Sequence, residues 1–82
     1  ELMGAREPGV RATVVIHEKP GQLAGLTEVI AKAGGNFVAF GQAQGRTPAY
    51  RLVTFKVSGL PQEKVKELIE PVVERLVDIR TI

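Results

Sequence analysis

With 82 residues the chain makes one small domain, which removes only about 60–65% of its unfolded surface from water, so association or a place in a longer chain is expected. It has no cysteine, one histidine, and 11 Lys/Arg against nine Asp/Glu interspersed along its length, which excludes a disulfide framework and a thiolate metal site and leaves no basic run to track a phosphate backbone. No apolar run approaches the roughly 20 residues of a membrane span and no basic-then-apolar leader opens the chain, so a soluble cytoplasmic domain is expected, with no membrane and no nucleic acid as partner.

Residues 1–9 show no period and close on Pro8-Gly9. They read as a linker or the tail of an upstream domain, with the domain proper over residues 10–82. Val10 to His17 is β-branched-rich and alternates, with Ala12, Val14 and Ile16 on one face and Arg11, Thr13, Val15 and His17 on the other. Pro20-Gly21 ends that strand. Leu23, Leu26, Ile30 and Ala33 then recur at spacings of three and four, predicting a helix over Gln22 to Gly34. Gly34-Gly35 stops it, because a left-handed residue past a helix end costs glycine little.

Asn36 to Gln44 reads as a second strand, with Phe37 and Ala39 on one face and Val38, Phe40 and Gln42 on the other. Gly41 and Gly45 suggest a bulge or a frayed end, as at a sheet edge. Gly45 to Ala49 is a hairpin loop. Tyr50 to Val57 is the third strand, presenting Val53, Phe55 and Val57 on one face. Pro61 suits the first turn of a second helix, whose stripe is Val65, Leu68, Ile69, Val72 and Leu76. Pro71 lacks an N–H and crowds the carbonyl of Glu67, so a break is expected near Ile69 to Pro71. Val77 to Ile82 reads as a fourth strand.

The order β-α-β-β-α-β with short connections predicts an α+β fold of the ferredoxin-like kind: a four-stranded antiparallel sheet with two helices on one face. The expected core is Val14, Ile16, Leu23, Leu26, Ile30, Phe37, Val53, Phe55, Val57, Leu68, Val72, Val77 and Ile79. The other face would show Val15, His17, Val38, Phe40, Tyr50 and Leu52, too apolar to stand alone in water. This topology hosts many activities, so function has to come from sites. An RNA-recognition motif needs stacking aromatics on strands one and three and a glycine in the third; "VRATVVIH" has no aromatic, and "YRLVTFKV" has no glycine and carries Phe55 on the core face. There is no carboxylate pair, nucleophile–base arrangement, phosphate loop or cofactor motif, so an enzyme is not expected and neither is a metal or other cofactor.

The stretch "HEKPGQLAGLTEVIAKAGGNF" resembles the signature of ACT domains: an acidic residue at the end of strand one, any residue, Pro and Gly, an apolar helix, a Gly-containing turn, an Asn and an apolar residue. Glu18, Pro20, Gly21, Leu23, Gly35, Asn36 and Phe37 occupy those places. The family usually has Asp in place of Glu18 and isoleucine in place of Gly35. The opening "ELMGAREPGVR" is similar to the joint before ACT domains that follow CBS domains, including proteins named for acetoin utilization. The resemblance implies a regulatory module that binds an amino acid or another small effector, commonly between two copies. It implies a site formed by Glu18, Lys19, Pro20, Gly21, Gln22 and Leu23 at the turn and by Asn36, Phe37 and Val38 at the start of strand two.

The chemistry of that stretch fits such a ligand. The first N–H groups of a helix have no partners within it and carry the positive end of its dipole, which suits a carboxylate. Glycine lets a ligand approach the backbone, and the Asn36 amide both donates and accepts, so turn and amide are expected beside one another at one end of the sheet. Two other readings stand beside this one: a dimerisation module with a vestigial site, and, more remotely, an RNA-binding domain. In the plainer account Pro20-Gly21 is only a turn, Glu18 a solvated carboxylate, Asn36 a strand start and His17 a packed rim residue.

Overall fold

The computed structural model describes residues 9–44 and 48–82, with backbone alone at 38–40, 43 and 44. Its elements are β1 (Val10–His17), α1 (Gln22–Lys32), β2 (Asn36–Gln44), β3 (Tyr50–Ser58), α2 (Gln62–Ile69) and β4 (Arg75–Thr81). The strands form one antiparallel four-stranded sheet in the order β2-β3-β1-β4. The alternation read in β1 is realised: Val10, Ala12, Val14 and Ile16 are buried, and the residues between them are not. Leu26 and Ile30 of α1 and Val65 and Ile69 of α2 join these and Val53, Phe55 and Val57 in one cluster, so both helices cover the same face of the sheet. That is the α+β, ferredoxin-like arrangement. Leu23, Phe37, Leu68, Val72, Leu76 and Ile79 line its margin.

The element ends follow local chemistry. Gly34 takes a left-handed φ of 91° just past α1, and Gly35 N–H donates back to the Ile30 carbonyl at 2.9 Å. Helix α2 stops at Ile69, two residues before Pro71, after which the chain turns by bonds from Val72 and Val73 N–H to the Ile69 carbonyl. Gly9, just before β1, is held to the end of the chain: its N–H donates to the Ile82 carbonyl at 3.2 Å and its carbonyl accepts from Ile82 N–H at 2.9 Å. The remainder of the expected linker, residues 1–8, and residues 45–47 of the expected hairpin loop lie outside the described residues.

Two bulges overturn parts of the sequence reading. β4 starts at Arg75 rather than Val77, and its register with β1 slips so that Thr13 faces Asp78 while Val14 faces Leu76. Val77 is the extra residue and is 46% exposed, so it is no core residue, whereas Leu76 and Ile79 pack inward. In β2 the register slips between Phe37 and Ala39. Phe37 lies opposite Val57 and Phe40 opposite Phe55, and the faces taken by the side chains of Val38, Ala39 and Phe40 lie outside the described residues. The bulge falls at Val38 and not at Gly41, and Gly45 lies outside the described residues. A strict period of two cannot survive one inserted residue.

The face away from the helices carries the polar residues of β1 and β3, and the side chains of Val38 and Phe40, expected there, lie outside the described residues. The Thr13 and Thr54 hydroxyls meet at 3.1 Å across β1 and β3, and Arg11 lies opposite Lys56 on one side and Arg80 on the other. Asp78 bonds the Arg80 guanidinium at 3.0 and 3.2 Å and holds its pKa above the usual arginine value, first by hydrogen bonding and then by charge. The apolar half of this face is Val15 and Leu52, opposite one another in register.

Gly35 has a packing reason. A Cβ there would sit 2.7 Å from Ile30 Cγ2 and from Leu60 Cδ1, and 3.1 Å from Val57 Cγ1. Two of those residues are fully buried and β-branched, with little freedom to retreat. Gly35→Ala is therefore expected to lower stability by about 1–3 kcal/mol in chemical denaturation, through overpacking. The β4 bulge yields a paired expectation. Ile69→Ala, at a site of 0% exposure, should cost about 2–5 kcal/mol, whereas Val77→Thr should stay within about 0.5 kcal/mol of the parent. A Val77→Thr loss as large as that of Ile69→Ala would contradict the register.

Candidate functional site

The turn after β1 is built by backbone restraint at both ends. Glu18 N–H donates to the Ala49 carbonyl at 2.8 Å, which holds it to the start of β3. Gly21 is the N-cap of α1, with φ 85° and ψ −9°, a left-handed conformation that side chains with a Cβ rarely adopt. Its carbonyl accepts from Gly25 N–H at 2.9 Å. No side chain caps α1, its first turn holds no acidic residue, and apart from its chain neighbours no atom lies within 4 Å of the point a Gly21 Cβ would occupy. The start of α1 is therefore uncapped, with room beside Gly21. Lys19 and Pro20 are exposed beside it, and Gln22 and Leu23 are half-buried.

Glu18 does not lie against this helix end as a dipole partner. Its Oε2 pairs with Arg51 Nη2, and Arg51 Nη1 donates to Gln42 Oε1 at 2.7 Å. One guanidinium thus ties the turn to β2 from its place on β3. On the opposite face, His17 Nε2 lies 2.8 Å from Glu74 Oε1, and the His17 ring is 5.1 Å from that of Tyr50. His17 is a rim residue with partners on both neighbouring elements.

Asn36 and Phe37 lie elsewhere. Asn36 pairs with Ser58 and Phe37 with Val57, at the end of β3, whereas Glu18 stands beside Ala49 at its beginning. Nine residues of strand at about 3.3 Å each separate these levels by roughly 30 Å. The expectation that Asn36 stands beside the turn is thus corrected: α1 runs away from the turn, and β2 begins where α1 ends. The Phe37 ring packs on Phe55 with centroids 5.0 Å apart. Asn36 is exposed, and the side chain of Val38 is outside the description.

Between α1 and the start of edge strand β2 runs an open groove of about 530 Å³, lined by Leu23, Thr27, Glu28, Ala31, Gly35, Asn36 and Phe37. It is largely apolar, with one carboxylate and one amide. Sequence reasoning missed Thr27, Glu28 and Ala31, which lie on the α1 face away from the core stripe. It also missed Arg51 and Gln42, whose contact needs the β2–β3 register. Among the described residues no group of three or more His, Cys, Asp or Glu is placed to hold a metal ion, and no helix is long and apolar enough to cross a membrane.

No family model and no curated protein matches the chain. Its backbone is similar to that of a solved formyltetrahydrofolate deformylase from Pseudomonas syringae pv. tomato str. DC3000, with a TM-score of 0.73 at 9% identity. The match covers 95% of this chain, which spans only 28% of the length of that one. At that identity the likeness is one of fold, and this chain has the ferredoxin-like fold of part of a much longer polypeptide.

Proposed function

We propose that the chain is an ACT-type regulatory domain that binds a small effector, an amino acid, between two copies of itself. The observation that carries this reading is the turn: a left-handed Gly21 leaves the start of α1 without a cap, without an acid and with room beside Gly21. An effector carboxylate is suited to that place. On this reading the domain regulates rather than catalyses, works in the cytoplasm, and belongs to a longer chain with CBS domains upstream, as residues 1–11 resemble.

Two copies resolve the separation of the signature's halves. β2 is an edge strand of nine residues with no charged side chain, the kind of edge that pairs with another chain. The other edge, β4, carries Arg75, Asp78 and Arg80, charges that discourage pairing. A two-fold axis beside β2 would run the two β2 strands antiparallel. Asn36 of one copy then approaches the Gln44 end of the other, the end that holds its partner's turn. Carboxylate at the turn and head group at Asn36 would be held in trans. A second reading, a dimerisation module without an effector, is favoured by one observation: the Arg51 guanidinium is already paired with the Glu18 carboxylate, which leaves it less available to an incoming anion.

The effector is found by thermal shift with the common amino acids, since a ligand at 100 times its dissociation constant adds about 2.7 kcal/mol. Asn36→Ala is then expected to weaken it by about 1.5–3 kcal/mol, or roughly ten- to a hundredfold, by calorimetric titration. Gly21→Asn keeps a residue that tolerates the left-handed turn but fills the space before it, so it should weaken binding with little loss of stability. Mixing the two variants is the decisive measurement. Trans sites predict that each mixed dimer regains one intact site, built from the Gly21 of one chain and the Asn36 of the other. A mixture as weak as either variant alone would rule out the trans arrangement, and no shift with any amino acid would leave the dimerisation module as the function.

A further inference from the structure

The Arg51 side chain touches both the turn and the edge strand. It stands opposite Ile16 on β1 and Gln44 on β2. Glu18 follows Ile16 by two residues and Gln42 precedes Gln44 by two, so both lie on diagonals that a long side chain spans. The guanidinium reaches along both: Nη2 to Glu18 and Nη1 to Gln42, the latter at 2.7 Å. Its fork is shared between two partners on two elements, a geometry that fixes their relative position and that lysine cannot reproduce. Arg51 is 34% and Glu18 42% exposed in their side chains, so the link is open to competition. The notional carboxylate of an effector at the turn would meet the same guanidinium.

We propose that Arg51 couples the turn at 18–21 to edge strand β2, so that strand pairing and turn occupancy alter one another. The coupling rests on the regulatory reading for its purpose, but its mechanical part stands by itself. A shift of β2 on pairing with a second copy moves Gln42, changes how Arg51 divides its two contacts, and loosens or tightens Glu18. An effector carboxylate that draws Arg51 from Glu18 acts in the reverse direction on Gln42. Linkage requires both effects to be equal as free energies. Arg51 is here a positioning residue, acting through Glu18 and Gln42.

The test needs no effector. Amide chemical shifts of the whole chain are recorded for the parent, Gln42→Ala, Arg51→Met and the double variant. Arg51→Met keeps an apolar stem over the sheet and removes the fork; should it fail to fold, Arg51→Lys replaces it. Gln42→Ala is expected to shift the amides of Glu18, Lys19 and Gly21, and the shift should fall to less than half in the Arg51→Met background. Glu18→Gln should shift the amides of Gln42 and its neighbours with the same dependence. Equal shifts with and without Arg51, or none at the far element, overturn the proposal, because a merely structural Arg51 would not make one perturbation depend on the other. Sedimentation of the same variants reports on assembly separately. A chain that stays monomeric throughout would sink the two-copy reading while the amide shifts still decide the coupling.

Discussion

β1 sits between β3 and β4, and its inward residues Val10, Ala12, Val14 and Ile16 are exposed by no more than 2%. Every other placement follows from that pairing. Each methylene removed from water there contributes about 0.8 kcal/mol, and sliding the strand by one residue would turn all four side chains to the wrong face. The register is thereby pinned on both sides, and with it the level at which the chain leaves the sheet. β1 ends opposite the start of β3, so the turn at 18–21 emerges there, and α1 must carry the chain back to the far end before β2 begins. The separation of Gly21 from Asn36 is thus a consequence of core burial, independent of any ligand.

Much of this was legible in the residues. The limits of β1 and β2 and the start of α1 coincide with those read from alternation, the Pro20-Gly21 pair and the stripe of Leu23, Leu26 and Ile30. Pro71 ends α2 as its chemistry requires. What alternation could not carry was the insertion of a single residue. Val77 and Val38 are β-branched residues suited to any strand position, and nothing local marks them as the ones that drop out of register. Their partners across the ladder decide it, and pairing is a property of two strands. Val65 and Ile69 were seen in the helix stripe but not assigned to the core for a related reason: a helix stripe is broader than the line that finally meets the sheet.

The candidate site was legible in parts and not as an assembly. Types and spacing led to the turn and to Asn36, while their distance depended on the topology. The two departures from the ACT pattern acquire local physical accounts. Gly35 is where Ile30, Leu60 and Val57 converge, so this chain has no room for the larger residue. Glu18 is longer than aspartate by one methylene and meets Arg51 on the neighbouring strand. Neither account requires the loss of a ligand, and neither requires its presence. Arg51 itself could not be singled out in the sequence, since one arginine following Tyr50 resembles any solvated strand residue until the diagonals are known.

The two edges of the sheet bear on how the chain would associate. A domain of this size gains from association, and it has one edge strand that carries charge and one that carries none. Association through the uncharged edge would join each chain's turn to the other's Asn36 end, so ligand affinity and chain concentration would be linked by mass action. Such a domain has no fixed affinity of its own: when dilute it would bind weakly because half of every site is missing, and the effector would drive the pairing it depends on. Tethering two copies within a larger assembly raises their effective concentration and removes that dependence. The same effector would then act on the arrangement of already paired chains rather than on whether they pair, which is the condition under which a link such as Arg51, running from the turn to the paired strand, has something to transmit.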